Sequence, residues 1–148
     1  MFVGLPASGK TTFYGQRFAD THRHISKDLW PSSSRKDVRQ ARELRDAFAT
    51  GQPVVVDNTS PSAAERAAII AIAREFDVPV IGYYFTATTR ECVGRNRGRE
   101  GKERVPDVAI FATAKRMTPP ALDEGFDRLF RVSVLPDGGF DVSALNPE

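Results

Sequence analysis

The run Gly4-Leu5-Pro6-Ala7-Ser8-Gly9-Lys10-Thr11 satisfies the pattern G-x-x-x-x-G-K-[ST]. Its glycines let the backbone curl, so successive N–H groups turn toward one point. A helix starting near Lys10 adds the positive end of its dipole. That geometry suits the phosphates of a nucleoside triphosphate. The candidate nucleotide-binding residues are Gly4, Ala7, Ser8, Gly9, Lys10, Thr11 and Thr12. Lys10 is placed to reach the β- and γ-phosphates, and Thr11 offers its hydroxyl to Mg²⁺. Two acids follow apolar runs, Asp28 in Ile25-Ser26-Lys27-Asp28 and Asp57 in Val54-Val55-Val56-Asp57-Asn58-Thr59. A carboxylate near the phosphates can orient an acceptor hydroxyl and take its proton. Asp28 is the candidate for that role, and it fits equally well as a turn residue before Leu29-Trp30-Pro31. Asp57 suits either holding water around the metal or orienting a substrate-binding Arg.

A third group of residues is cationic. Arg90, Arg95, Arg97, Arg99, Lys102 and Arg104 stand against Glu91, Glu100 and Glu103, with Gly94, Gly98 and Gly101 between them. A hinged, Arg-bearing flap of this kind fits a lid over the phosphates at about residues 95–105. The planar guanidinium pairs two phosphate oxygens where an ammonium cannot. The plainer alternative is a solvated helix face of Glu–Arg pairs.

The elements that position these groups alternate between short β-type runs and amphipathic helical runs. Strands are expected at Phe2-Val3, His22–Ser26, Pro53–Val56, Val80–Phe85 and Leu129–Val134. The first is short enough to be the remnant of a longer strand. Helices are expected from Lys10 to about Ala19, Lys36–Thr50, Pro61–Phe76, Thr88 to about Gly98, and Val108–Met117, with Ser34 as a possible cap of the second. Each crossover is long enough for a parallel βαβ unit. The expected class is α/β, a P-loop NTPase-type three-layer sandwich. Its five-stranded parallel sheet, order 2-3-1-4-5, carries helices on both faces and an Arg-bearing lid. One kinase domain is expected over residues 1–135, and the Gly-, Asp- and Pro-rich tail 136–148 reads as loop.

Composition sets outer limits. At 148 residues with 41% apolar and 27% charged residues, the chain is sized for one globular core. A net charge of +2 is too small to identify a nucleic-acid partner by itself. No apolar run is long enough for a membrane span, and Met1-Phe2-Val3-Gly4 does not begin a signal peptide. The lone Cys92 cannot form an internal disulfide, so a cytoplasmic location is expected. Cys92 reads as a packed or free thiol, and Phe111 and Phe126 as core. His22 and His24 lack metal-ligand company and read as structural. Trp30 suits either stacking on a nucleobase or packing on the next helix.

The chain resembles the 5′-polynucleotide kinase family from Phe2 to about Val134. Asp57-Asn58-Thr59-Ser60-Pro61 followed by Arg66 is similar to that family's D-N-T-x-P segment and downstream Arg. Asn96-Arg97-Gly98-Arg99-Glu100 is similar to its N-R-x-R-E lid. Val105-Pro106-Asp107-Val108 and Thr118-Pro119-Pro120-Ala121-Leu122-Asp123-Glu124-Gly125-Phe126 are similar to its C-terminal signatures. The resemblance implies ATP and Mg²⁺ as cofactors and a nucleic-acid 5′-hydroxyl end, DNA or RNA, as acceptor. It assigns Lys10 and Thr11 to ATP and metal, Asp28 to the general base, and Arg99 to transfer, with Arg95 on the nucleotide and Arg97 near the substrate. It places Asp57 and Arg66 on the acceptor side. Two departures stand out: Ser26-Lys27-Asp28 replaces the usual N-R-D, and Pro31 occupies the region of an acceptor-gripping Arg. No D-x-D-x-[TV] phosphatase motif occurs. Two other functions fit the same residues: a kinase for a small-molecule alcohol, with a closed acceptor pocket, and an NTP-binding module without transfer.

Overall fold

The structure, a computed structural model, describes residues 1–145; the Lys102 side chain and the last three residues of the expected tail lie outside what is described. The strands are β1 (Phe2–Val3), β2 (Arg23–Ile25), β3 (Val54–Val56), β4 (Ile81–Phe85), β5 (Arg128–Val134) and β6 (Phe140–Ala144). The helices are α1 (Lys10–Arg17), α2 (Lys36–Ala49), α3 (Ala63–Glu75), α4 (Thr89–Arg97) and α5 (Asp107–Arg116).

The strands form two ladders. In one, β1, β4 and β5 run parallel and β6 closes antiparallel; in the other, β2 pairs with β3 in parallel. A lone parallel bridge between Phe2 and Asp57, and a bond from Gly4 N–H to Thr59 O at 3.0 Å, carry β3 alongside β1. The expected continuous, all-parallel sheet is corrected in two ways. It is interrupted between β3 and β1, and it gains β6 from the segment read as loop. There Leu135 N–H reaches Gly139 O at 2.8 Å, setting Phe140 opposite Val134 and Val142 opposite Val132. Turn-forming residues hid this alternating pair from composition.

Successive strand residues face opposite sides, so each strand feeds two cores. Val55 joins Phe2, Phe85, Val132, Phe140 and Phe13 of α1. Its neighbour Val56 joins Ile25, Trp30, Leu44 of α2, and Ile69 and Ile72 of α3. Helices α4 and α5 bury Cys92 and Ile110 against Leu5 and Ala7 of the glycine-rich turn. The helical stripes of the sequence thus find their partners with small boundary shifts. Helix α3 starts at Ala63, because Ser62 Oγ accepts the Glu65 N–H at 3.2 Å; Pro61 stays outside it. Ser34 does not cap α2, whose N-cap position is Arg35 with no side-chain bond.

Trp30 is buried, with the Arg39 guanidinium 4.6 Å from its ring centroid, so it packs and presents no face to a base. Phe126 is core as expected, but Phe111 is 52% exposed on the outer side of α5. Among the described residues no helix is long and apolar enough to cross a membrane. An apolar cleft of about 430 Å³ opens between β3 and β4 at their amino ends, lined by Phe2, Val54, Val80 and Tyr83. Lys10, Thr11, Asp28 and Asp57 gather at the other end, beyond the carboxyl ends of the strands, where open α/β sheets bind ligands.

Candidate active site

The chain leaves β1 and turns back sharply before α1. Ala7 has φ 64° and Gly9 φ 103°, and Ser8 N–H donates to Leu5 O at 3.2 Å. The space is tight as well. A Cβ on Gly4 would lie 2.8 Å from the Phe85 Cβ, and one on Gly9 3.1–3.3 Å from Phe140, Arg95 and Val134. Only glycine satisfies both the left-handed φ and the crowding at position 9. The first-turn N–H groups of Lys10, Thr11 and Thr12 have no carbonyl one turn back. Helix α1 has no side-chain cap and no acid in its first turn, so its positive end is open to an anion. Ser8 Oγ is buried with no hydrogen-bond partner among the described residues. Such an orphan costs about 1–3 kcal/mol, which a phosphate oxygen would offset. Gly4, Ala7, Ser8, Gly9, Lys10, Thr11 and Thr12 are all brought together as one cradle.

Lys10 folds over its own loop, its Nζ donating to Leu5 O at 2.7 Å and Gly4 O at 3.1 Å. Burial pushes this ammonium down to about 8, against the opposing pull of the Asp57 and Asp28 carboxylates; Arg99 also lowers it. The charges of Asp28, Asp57 and Arg99 therefore all act on Lys10. The native value lies below the ordinary 10.5, so without nucleotide the fold gains stability as pH rises from about 8 toward 10.5. Nucleotide binding has the opposite sign, because a phosphate needs the charged form. Affinity should be full below about pH 8 and fall by up to tenfold per unit above it. Titrations of nucleotide binding across that range check this; a flat profile contradicts it.

Asp57 is buried at the end of β3. Its Oδ2 accepts from Thr11 Oγ1 at 2.9 Å and from His24 Nε2 at 2.9 Å. A carboxylate only accepts, so His24 carries its hydrogen on Nε2. Its ring stacks on Tyr14, centroids 4.2 Å apart. With its proton committed to Asp57, the Thr11 hydroxyl turns its lone pairs outward, as a metal ligand requires. Among the described residues no cluster of three His, Cys, Asp or Glu side chains forms a metal site. The hydroxyl and carboxylate oxygens instead suit a hard cation that keeps waters and phosphate ligands. Asp57 is thus bonded to Thr11 and His24, and among the described residues it holds no Arg. His24, read as structural from sequence, belongs to the site. The one signal was its place on the strand leading to Asp28.

Arg66 is corrected outright. It is fully buried, donating to Glu124 at 2.7 and 3.1 Å, to Ser60 O at 2.9 Å and to Thr118 Oγ1 at 3.2 Å. Four of its five N–H donors are taken, and full burial keeps the guanidinium from a substrate. It braces the turn after Asp57-Asn58-Thr59, where Ser60 holds φ 44°. Glu124 also accepts the Ala121 N–H at 2.8 Å, which ties the Thr118–Phe126 segment to the same brace.

Asp28 sits on a short 3-10 turn after β2, where its N–H bonds Ser26 Oγ at 3.3 Å. It lines a groove of about 530 Å³ with Lys27, Asp37, Gln40, Asn58, Thr59, Ser60 and Glu65. Asp37 pairs with Lys27, and Glu65 with Arg116. Asp28 is the lining carboxylate with no ion pair among the described residues. Leu29 beside it is exposed.

The arginine flap is anchored at both ends. At its start Thr88 and Glu91 form a capping box, with bonds of 2.9 and 3.1 Å. At its base the buried Asn96 donates to Val105 O at 2.6 Å and Asp107 Oδ1 at 3.2 Å, and accepts the Val105 N–H at 3.0 Å. Asn96 thus clasps the loop 98–104, a role that attention to its Arg neighbours missed. Arg95 reaches the cradle beside Gly9, and Arg99 donates to Glu103 O at 3.2 Å while its charge reaches Lys10. Arg97 is exposed at the end of α4, and among the described residues no contact ties it to the cradle or the groove. Cys92 is buried beneath the cradle; burial pushes its thiol up, as for an inert cysteine.

A phosphate cradle and an arginine flap, with a groove lined by one unpaired carboxylate, give this chain the layout of the P-loop kinase fold. A family model described as an AAA domain matches residues 1–120, and the chain belongs to that family. It is 27% identical over 136 residues to a bifunctional polynucleotide phosphatase/kinase of Schizosaccharomyces pombe, covering 89% of this chain and 32% of that protein. The chain thus spans about a third of that relative's length. Two solved structures share the fold. A fungal RNA kinase superposes with TM-score 0.68 at 16% identity, covering 94% of this chain and 76% of that one. A gluconokinase from Sinorhizobium meliloti 1021 superposes with TM-score 0.62 at 16% identity, covering 89% and 79%.

Proposed function

We propose that this domain transfers the γ-phosphoryl group of ATP to a primary hydroxyl, and that the acceptor is a 5′-hydroxyl end of DNA or RNA. The observation that carries the reading is the unpaired Asp28 carboxylate on a groove joined to the cradle through Thr59, which lines the groove and accepts the Gly4 N–H at 3.0 Å. Bound MgATP supplies the transferable phosphoryl group and the divalent charge beside it. Lys10 leaves the Gly4 and Leu5 carbonyls for the phosphates. Thr11, held by Asp57, faces the metal. Asp28 orients the acceptor hydroxyl and receives its proton. Arg95 and Arg99 bring positive charge to the oxygens where negative charge gathers. The polynucleotide acceptor is supported by the 27% identity to a phosphatase/kinase and by the motifs around Asp57 and Asn96.

A second reading, a small-molecule alcohol kinase, is favoured by the groove itself. Its lining cation Lys27 is already paired, so the wall beside Asp28 is not the basic channel that a nucleic-acid backbone prefers. Incubation with γ-labelled ATP, Mg²⁺ and 5′-hydroxyl oligonucleotides, with small alcohols in parallel, decides between them. Label on the oligonucleotides is the expected result. Label confined to a small alcohol overturns the polynucleotide acceptor.

A further inference from the structure

Gln40 reaches from α2 into the wall of the groove that Asp28 lines, and it is only 7% exposed. Its orientation is fixed by a relay that begins at the backbone. The Lys27 N–H can only donate, and it donates to Asn58 Oδ1 at 2.9 Å. Asn58 must therefore turn its amide nitrogen the other way, where Nδ2 donates to Gln40 Oε1 at 2.6 Å. That leaves Gln40 Nε2 as a pure donor with no protein partner among the described residues. It is not sealed off either, since the one side-chain atom among them both buried and unpartnered is Ser8 Oγ.

The rest of the groove says what this donor meets. Its lining carboxylates Asp37 and Glu65 are neutralised by Lys27 and Arg116, so neither cation is free for a phosphate. The Asp28 carboxylate has no ion-pair partner among the described residues, so the groove offers an anion no free cation. Ala41, Ala64, Ala68 and Ile69 offer apolar surface suited to C–H groups. We propose that Gln40 is a specificity residue of the acceptor site: its Nε2 donates to an uncharged oxygen, a ring ether or a neighbouring hydroxyl, of a sugar whose primary hydroxyl Asp28 holds. The terminal ribose of a polynucleotide and a free nucleoside or hexose share this chemistry. A polynucleotide would then keep its phosphates outside the groove. The inference rests on Asp28 receiving the acceptor, as in the proposed function.

Gln40→Glu is the discriminating variant. It keeps the oxygen that accepts from Asn58 and replaces only the free donor by a carboxylate. Wild type and variant are assayed with labelled ATP on 5′-hydroxyl oligonucleotides, thymidine and neutral hexoses; the arm that takes label identifies the source of the sugar. For that acceptor, Gln40→Glu should raise KM about tenfold or more, because a site built to bond an oxygen loses its partner. The dissociation constant for ATP without acceptor, which reads the cradle and not this groove, should stay within about twofold. An analogue of the same acceptor lacking the ring and neighbouring oxygens should be penalised on wild type and bind both proteins alike. An unchanged acceptor KM in the variant overturns this inference and leaves the kinase reading intact. Label in no arm overturns both. If the variant does not fold, the analogue on wild type decides, and an analogue KM equal to that of the parent acceptor sinks the proposal.

Discussion

Asp28→Asn is expected to lower phosphoryl transfer by roughly 10²–10⁴-fold while nucleotide affinity stays within about twofold. The substitution keeps the shape of the side chain and the backbone bond to Ser26 that sets the turn. What it removes is a proton acceptor. No other lining carboxylate can substitute, because Asp37 and Glu65 are each held in an ion pair. Lys10 loses one favourable charge nearby, but burial and Asp57 act on it more strongly, so the grip on phosphate changes little. Single-turnover transfer and nucleotide titration, done on the same preparation, separate the two effects. Near-normal turnover would return Asp28 to the role of an ordinary turn residue.

The second large effect is on stability. Arg66→Ala is expected to destabilise the fold by about 3–5 kcal/mol, the cost of breaking a buried charge pair from one side. The guanidinium is fully buried and occupied by Glu124, Ser60 and Thr118. Its loss leaves a carboxylate without a counter-charge and a left-handed Ser60 without its brace. Burial pushes the Glu124 carboxyl up, but the Arg66 and Ala121 bonds outweigh it and hold it below its ordinary 4.5. The pair therefore contributes above that value, and its contribution is lost as pH falls through the depressed native one. Denaturant unfolding of wild type and variant checks the magnitude; a loss under about 1 kcal/mol would mean the pair does little.

Arg66 also shows where sequence stops being informative. Its candidate role as a substrate residue was what the resemblance to the polynucleotide kinase family implied for the Arg downstream of Asp57-Asn58-Thr59. Its actual partner lies 58 positions away, on a segment that sequence showed only as a signature. His24 and Asp57 are 33 residues apart and meet because β2 and β3 pair in parallel register. The relay to Gln40 likewise spans three separate segments. By contrast, the cradle is contiguous in the chain, so its geometry follows from local backbone rules alone. The strands and helices were legible because periodicity is local too. The sheet's interruption beside β1 and its antiparallel β6 were not, since both depend on which distant edge a strand meets.

The most direct measurement is a crystal structure with a non-hydrolysable ATP analogue and Mg²⁺. It should show the β- and γ-phosphates on the N–H groups of the Gly4–Thr11 turn, Lys10 Nζ withdrawn from the Gly4 and Leu5 carbonyls, and the metal on Thr11. The Asp28 carboxylate should face the terminal phosphate across the groove. A nucleotide bound elsewhere, or an Asp28 turned away from that phosphate with no room for a hydroxyl between them, would contradict the account.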